Sequence, residues 1–394
     1  FGSSMKLNSR DSICNLSISP VNMLAFLTAL ALADARRFQD PDDLVATLQV
    51  AQRWNQSALH PDGLEQRVLC GDYLLEDEHK TPIELRPRQS PAKLIDTFAF
   101  GNAYEVEELL LRMYEMGEEV SEFHIVEGDH DFQGAKKPYQ FEAILNSGQF
   151  DAWKNKITYY KVEIPMGVKG FRLQDIQRLQ LRSQMNDYKN YDLKDILLEG
   201  DLDEIVSEET LKILKHCEPV AGSWSAHVHM GNFYFSLAWT DGDWMLPTTV
   251  GFVSEVPSTP PPPRLLESDA IPSHDATVNS TLVHLPKSQS IWTKPNTLSR
   301  RDGRLHAWHC AWTLNGPAGL AHKIFIRIEG IPGWAKNCCS DEATLAKFIG
   351  SGFYDKVSSY DPNIHPSKLS KEDLPPALLR HPEKFPNILR GVNW

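Results

Sequence analysis

The chain is poor in the features that would settle its class at once. Only six cysteines, Cys14, Cys70, Cys217, Cys310, Cys338 and Cys339, occur in 394 residues. That is too few for a disulfide-stapled scaffold, and with no C-x-x-C spacing a structural zinc site is not expected. One or two disulfides are compatible with the count, with Cys338 and Cys339 expected to pair with distant partners or to stay reduced. No apolar run approaches the ~20 residues that cross a bilayer. The run Val21–Ala33 ends after thirteen residues, is broken by Asn22, and lacks the basic flank of a signal peptide. The opening Phe1-Gly2-Ser3-Ser4 reads as an artificial leader, so a natural membrane anchor is expected to be missing ahead of it. Basic residues are outnumbered, 40 against 52 acidic ones, for a formal charge of −12. No Lys/Arg cluster offers a face to nucleic acid, and the acidic balance opposes adhesion to anionic membranes. Internal repeats are absent as well. Three N-x-S/T sequons, at Asn15, Asn55 and Asn279, are about what chance yields and give weak support for a secretory compartment.

What is present is a composition 41% hydrophobic, enough for a sizeable core, and an alternation of periods. Residues 94–100, 123–127, 157–164 and 195–199 read as strands, and 106–116, 139–145, 173–185 and 208–216 as helices. Strands alternating with helices predict βαβ units, hence an α/β fold with a mainly parallel central sheet. Further on, 305–313 and 322–328 read as strands and 342–349 as a helix. Residues 18–53 read as helical, giving an amino-terminal helical extension over 1–92. The main domain is expected over 93–360, interrupted by a Pro-rich insertion at 254–300 that opens as polyproline II, with a carboxy-terminal tail, 361–394, packed on it.

The most informative stretch is Ile196-Leu197-Leu198-Glu199-Gly200-Asp201-Leu202-Asp203-Glu204. An apolar strand ends in carboxylates. Ligands of open α/β sheets bind beyond the carboxyl ends of strands, and two aspartates one residue apart can hold a divalent cation shared with a diphosphate. The competing reading is an ordinary cap of the helix that follows. Glu127 and Asp129 repeat the strand-then-carboxylate pattern, against a polar loop as the alternative. In His306-Ala307-Trp308-His309-Cys310-Ala311-Trp312, His309 is a candidate for the metal or the diphosphate, or a core histidine. Trp308 and Trp312 could stack on sugar faces or simply fill the core. His227 and His229 share a strand face, as a metal pair or a structural one. Glu329, at the end of the expected 322–328 strand, is a candidate general base.

Taken in order, these segments resemble glycosyltransferase family 17. The resemblance rests on Ile95-Asp96-Thr97-Phe98, on the helix Glu107–Met116, and on Glu127 to Gly134 followed by Lys137-Pro138. It continues through Gln180-Leu181-Arg182, Gly200-Asp201-Leu202-Asp203-Glu204-Ile205, Trp308-His309-Cys310-Ala311-Trp312, Lys323 and Phe348–Asp355, and reaches the tail Leu374–Trp394. It covers about 94–394. Val206 stands where the family has proline, Ala307 and Ala311 replace a glycine and a serine, and residues 1–90 match nothing in it.

The resemblance implies a GT-A type nucleotide-sugar fold and a metal-dependent inverting glycosyltransferase. It would move GlcNAc from UDP-GlcNAc to a mannoside of an N-glycan-like acceptor. Mn²⁺ (or Mg²⁺) would be held by Asp201, Asp203 and His309. Glu204 would orient the loop or the sugar, Glu127 and Asp129 would line the nucleotide pocket, and Arg182 would contact phosphate or buttress Asp201, with Trp308 nearby. Inversion needs one base, expected to be Glu329 with Asp341 as fallback. Partners would be the nucleotide sugar and a glycan or glycoprotein, and the location the Golgi lumen as a truncated type II membrane protein, or else a soluble or secreted form. Another UDP-sugar, a metal-dependent hydrolase, and an inactive sugar-binding homologue are the competing functions.

Overall fold

A strand covered on both faces must be apolar nearly throughout. Ile196–Glu199 fits that rule, while Leu94–Ala99 and Glu122–Gly128, also almost wholly buried, depart from it at Asp96, Thr97, His124 and Glu127, whose polar groups must be paired inside. The computed structural model describes residues 69–185, 191–222, 224–244, 248–255, 296–311, 316–326, 333–353, 357–360 and 363–392. Residues 69–394 group as one unit.

The strands are β1 Tyr73–Glu76, β2 Pro82–Ile83, β3 Leu85–Pro87, β4 Leu94–Ala99, β5 Glu122–Gly128, β6 Ile157–Val162, β7 Ile196–Glu199 and β8 Glu204–Val206. They continue with β9 Cys217–Pro219, β10 Ala226–Val228, β11 Gly231–Tyr234, β12 Trp239–Asp243, β13 Thr249–Phe252, β14 Asn296–Arg300, β15 Ala307–Ala311 and β16 His365–Pro366. Among the described residues, nine form a sheet in the order β2-β1-β14-β10-β13-β7-β4-β5-β6. The run β7-β4-β5-β6 is parallel, and only β13 and β1 oppose the common direction. A second sheet runs β16-β12-β11-β15-β8. An α/β fold with a large, mostly parallel sheet is thus what the alternation of periods predicts.

Helix α1, Val106–Met116, follows β4; α2 is Phe141–Leu145, α3 Phe171–Gln184 and α4 Glu208–His216. After the sheets come α5 Gly316–Phe325, α6 Gly333–Cys338, α7 Glu342–Gly350, α8 Val357–Tyr360 and α9 Pro376–Arg380. Helix α1 is enclosed by protein, with Glu107, Glu108, Arg112 and Glu115 all buried. A buried charge needs a partner. Arg112 makes a two-pronged pair with Asp96 of β4, at 2.7 and 2.6 Å. Its remaining Nη1 donates to the carbonyls of Asp201, Leu202 and Glu204 at 2.9, 3.2 and 2.7 Å. Glu107 accepts from the backbone of Asn387 and Ile388, and Glu115 from Glu208 and Ala377. The tail is therefore bound to α1 by hydrogen bonds as well as by packing.

Several expectations change. Residues 322–328 were expected as a strand, but His322–Phe325 lies within helix α5. Leu320, Ala321 and Ile324 form its buried stripe, and Gly316-Pro317 marks its start. A short apolar run with mixed polar residues does not separate the two periods. Residues 73–87, placed in the amino-terminal extension, supply β1 to β3, and β1 pairs with β14. Residues 296–300, placed in the insertion, are that β14. The helices expected in 18–53, and the insertion from 256 to 295, lie outside the described residues. Cys338 and Cys339 are bonded to each other, and Cys70 to Cys217. Buried Cys310 belongs to the main core, whereas Cys339 packs on a separate cluster around α5 and α7.

Two predictions follow from the buried polar groups. Replacing Asp96 by Asn leaves Arg112 charged and half-paired in the core. Urea unfolding should show a loss of about 3–5 kcal/mol, the usual cost of breaking a buried pair from one side. His306, whose Nδ1 lies 3.0 Å from the Thr210 hydroxyl, has its pKa pushed down to about 3 by burial, with nearby His229 and Arg300 adding to the effect. The unfolded chain therefore binds the extra proton between pH 6.5 and about 3, and this group's stabilisation is full above 6.5 and lost on acidification. Comparing wild type with His306→Gln should remove a slope of up to about 1.4 kcal/mol per pH unit in that window.

Candidate active site

Strand β7 of the large sheet ends at Glu199, and β8 of the second sheet begins at Glu204. The loop between them carries Asp201 and Asp203 and joins the two sheets. Gly200 has to be glycine, because a Cβ there would meet Thr248 Oγ1 at 2.3 Å and Glu204 Oε2 at 2.7 Å. Neither aspartate caps a helix. Helix α4 starts four residues beyond Glu204 and is capped by Ser207, whose hydroxyl accepts from Thr210 N. The helix-cap alternative for the two aspartates is therefore excluded.

The two carboxylates face different neighbours. Asp201 Oδ1 accepts from Gln174 Nε2 at 2.6 Å and from Arg178 Nη2, both on α3. Asp203 Oδ2 accepts from Lys323 Nζ of α5 at 3.2 Å, and its Oδ1 lies 3.7 Å from His309 Nε2 of β15. Burial alone would raise the Asp203 pKa, but the Lys323 ammonium, aided by the His309 ring whenever it is protonated, more than offsets this and holds it below the ordinary carboxylate range. Burial works against the Lys323 charge too, yet Asp203, Glu108 and Glu105 together keep its pKa above the usual lysine value. The loop is thus anionic and flanked by one guanidinium and one ammonium.

The rest of the shell holds these groups in place. Glu204 is buried; its Oε2 accepts from Asp201 N and Thr248 Oγ1, each at 3.0 Å, and its Oε1 from Trp244 Nε1 at 2.7 Å. Trp244 stacks on the His309 ring, centroids 3.8 Å apart and planes 22° from parallel. His309 Nδ1 lies 2.6 Å from Asn232 Oδ1.

The structure therefore brings together Asp201, Asp203, Glu204 and His309 of the residues singled out from the sequence. The others lie elsewhere. Arg182 pairs with Glu199, and it is Arg178, one turn earlier on α3, that contacts Asp201. Glu127 is fully buried and accepts from Lys137 Nζ, the amides of Gln140 and Phe141, and the Tyr159 hydroxyl. Asp129 accepts from Ile164 N and pairs with His130. These two close the loops after β5 and β6. Trp308 is buried in the core, with Nε1 donating to the Asp373 carbonyl. Asp341 caps α7 from the surface, accepting from Thr344 N. Glu329 and Trp312 lie outside the described residues. His227 contacts Thr249, and His229 contacts Asp243.

Gln174 and Arg178 went unread in the sequence, although with Arg182 they recur every four residues and so share a face of α3. Asn232 and Trp244 carried no local signal.

Residues 80–251 match the model of glycosyltransferase family 17. The human β-1,4-mannosyl-glycoprotein 4-β-N-acetylglucosaminyltransferase is 23% identical over 332 residues, 78% of this chain and 57% of its own length. The rat protein of the same name is 23% identical over 335 residues, 79% of this chain and 57% of its own. The chain spans just over half the length of these curated relatives. Among solved structures, the galactosyltransferase LgtC in complex with donor and acceptor sugar analogs aligns at a TM-score of 0.25 and 11% identity, over 41% of this chain and 58% of that one. A TM-score so low carries no argument. The family match and the relatives' names bear out the resemblance to glycosyltransferase family 17 and support reading the chain as a glycosyltransferase.

Because Glu204 has its oxygens turned to protein donors, it shapes the loop. Glu204→Gln puts an NH₂ against at least one of those donors. Urea unfolding should register a loss of about 1–3 kcal/mol, whereas a carboxylate aimed only at a ligand would be neutral to stability.

Proposed function

We propose that the chain is a metal-dependent, inverting glycosyltransferase of GT-A type that moves GlcNAc from UDP-GlcNAc to a mannoside of a glycan. The observation that carries this reading is the arrangement of Asp203 and His309. A carboxylate oxygen and an imidazole nitrogen face each other at 3.7 Å, in a loop that also presents Asp201. Two atoms each about 2.0–2.2 Å from one ion can lie that far apart. Among the described residues no three His, Cys, Asp or Glu side chains are gathered into a metal cage. The donor set nevertheless suits Mn²⁺ or Mg²⁺, with carboxylate oxygens and one imidazole. Asp203 and His309, which the geometry brings together, would hold the ion, with Asp201 beside them on the same loop and tied to Gln174 and Arg178. When bound, it would offset the charge that develops on the departing diphosphate.

The chain's own cations serve the same end. Arg178 and Lys323 flank the loop, and both are paired with its aspartates. A diphosphate entering here would find two fixed positive groups, on α3 and α5, without any reorganisation of the backbone. The loop backbone is held by Arg112 through its carbonyls. Inversion needs a base on the face of the sugar opposite the leaving group; we keep Glu329 for it on the family resemblance alone, because the strand expected to end at it is a helix over His322–Phe325. The donor and acceptor follow from the name of the two relatives. The Cys70–Cys217 disulfide fits an oxidising compartment, which supports a Golgi location behind a membrane anchor.

The test is UDP release across a panel of UDP-sugars, with and without mannosides, in Mn²⁺. UDP-GlcNAc with a mannoside should be the productive pair, and Asp203→Asn should lower turnover at least about a hundredfold, the several kcal/mol of charge stabilisation lost, while thermal unfolding remains cooperative. Unchanged turnover in Asp203→Asn would refute the metal assignment. Release without any acceptor dependence would favour a hydrolase, and a different preferred donor would redirect the sugar assignment.

A further inference from the structure

The ion site proposed above requires one particular state of the His309 ring, and three side chains determine it. Asp241 Oδ1 accepts from Asn232 Nδ2 at 2.8 Å. A carboxylate only accepts, so the amide nitrogen of Asn232 is the atom that faces Asp241. Its carbonyl oxygen then faces His309 Nδ1, at 2.6 Å. That oxygen also only accepts, so Nδ1 carries the ring hydrogen. In the neutral ring Nε2 keeps its lone pair and presents it toward Asp203 Oδ1. The opposite tautomer would aim an N–H at Asp203, and the resulting hydrogen bond would occupy both prospective ligands at once.

The geometry around this chain is held from several sides. Asn232 and Asp241 lie on the paired strands β11 and β12, where the register shifts beside Asn232. Thr240 Oγ1 donates to the Asn232 carbonyl at 2.7 Å, and Asn232 also pairs with His309 across the parallel β11–β15 ladder. Trp244, just past β12, fixes the plane of the ring by stacking on it, and is itself held by Glu204.

We propose that Asp241 and Asn232 are positioning residues that fix the Nδ1–H tautomer of His309, so that Nε2 serves as a ligand to a divalent cation shared with Asp203. This rests on the metal-dependent reading of the site. Outer partners of this kind are worth about 10–100-fold in metal affinity.

Two measurements on the full chain test it. The first is ¹⁵N NMR of histidine-labelled, metal-free protein, with the His309 signals assigned by their loss in His309→Gln. The second is Mn²⁺ affinity from the EPR signal of free ion. Wild type should show Nδ1–H. Asp241→Asn frees the Asn232 amide to turn over, should populate Nε2–H, and should weaken Mn²⁺ binding about 10–100-fold. Exchanging the pair, Asn232→Asp with Asp241→Asn, restores the order of donors and acceptors and should bring affinity back to within about threefold, a coupling that independent sites would not show. An Nε2–H wild type, undiminished Mn²⁺ binding in Asp241→Asn, or an exchanged pair as weak as the single variant each overturns the proposal. Wild type that shows Nδ1–H yet binds no Mn²⁺ overturns the metal reading itself, and the purpose assigned to the tautomer with it.

Discussion

The site depends on one buried ion pair. Arg112 and Asp96 have no exposed side-chain surface, and removing either leaves a charge stranded in the core. The pair uses two of the guanidinium nitrogens, and the third is spent on the carbonyls of the loop between β7 and β8. A loop that links two sheets has no ladder of its own to hold it. Here the carbonyls of Asp201, Leu202 and Glu204 converge on a single cation, whose position is set by β4 and α1, and that of Asp203 accepts from Cys310 N of β15. The side chains of Asp201 and Asp203 are left for other work because the backbone between them is already satisfied.

This arrangement gives a physical meaning to motifs that look separate along the chain. The Asp of Ile95-Asp96-Thr97-Phe98 pairs with the Arg of α1, which in turn donates to the carbonyls of Asp201, Leu202 and Glu204. Parallel strands β4 and β7 are direct neighbours, so the ends of the two segments are brought together by the sheet. The second sheet then supplies what the first cannot: His309 from β15, Asn232 from β11 and Trp244 from beyond β12. The candidate site is a seam between two sheets, acidic at its centre with cationic groups on either side.

Much of the fold was legible in the sequence where burial imposes a period. Helix α1 and strands β4, β5 and β7 were legible nearly to their ends, because their apolar residues recur at helical spacing in α1 and in compact runs in the strands, even though each of α1, β4 and β5 also buries charged groups. The reading failed where the pattern was short. His322-Lys323-Ile324-Phe325 pairs two polar with two apolar residues rather than alternating, and the spacing of Leu320, Ala321 and Ile324 reveals a helix. In the site, Asp201, Asp203, Glu204 and His309 were visible because carboxylates after an apolar strand and a histidine between tryptophans are local signals. Asn232 and Trp244 act through contacts made across the second sheet, with nothing in their neighbours to mark them, while Lys323 was marked by the family resemblance alone and its contact with Asp203 comes from α5. Glu127 misled for an instructive reason. A carboxylate at a strand end can bind a ligand or staple its own loop, and only the count of donors around it tells which.

Helix α1 is made early in synthesis, but the groups that satisfy its outward carboxylates come much later. Glu115 waits for the amide of Ala377, 262 residues on, and Glu107 for that of Ile388, 281 residues on. Every strand of both sheets emerges before those two amides. A ribosome-bound intermediate would therefore carry a nearly complete pair of sheets around a helix whose acidic face is still open to solvent. The native state is closed last, from the carboxy-terminal side, and a chaperone or protease meeting the nascent protein would find its weakest surface there.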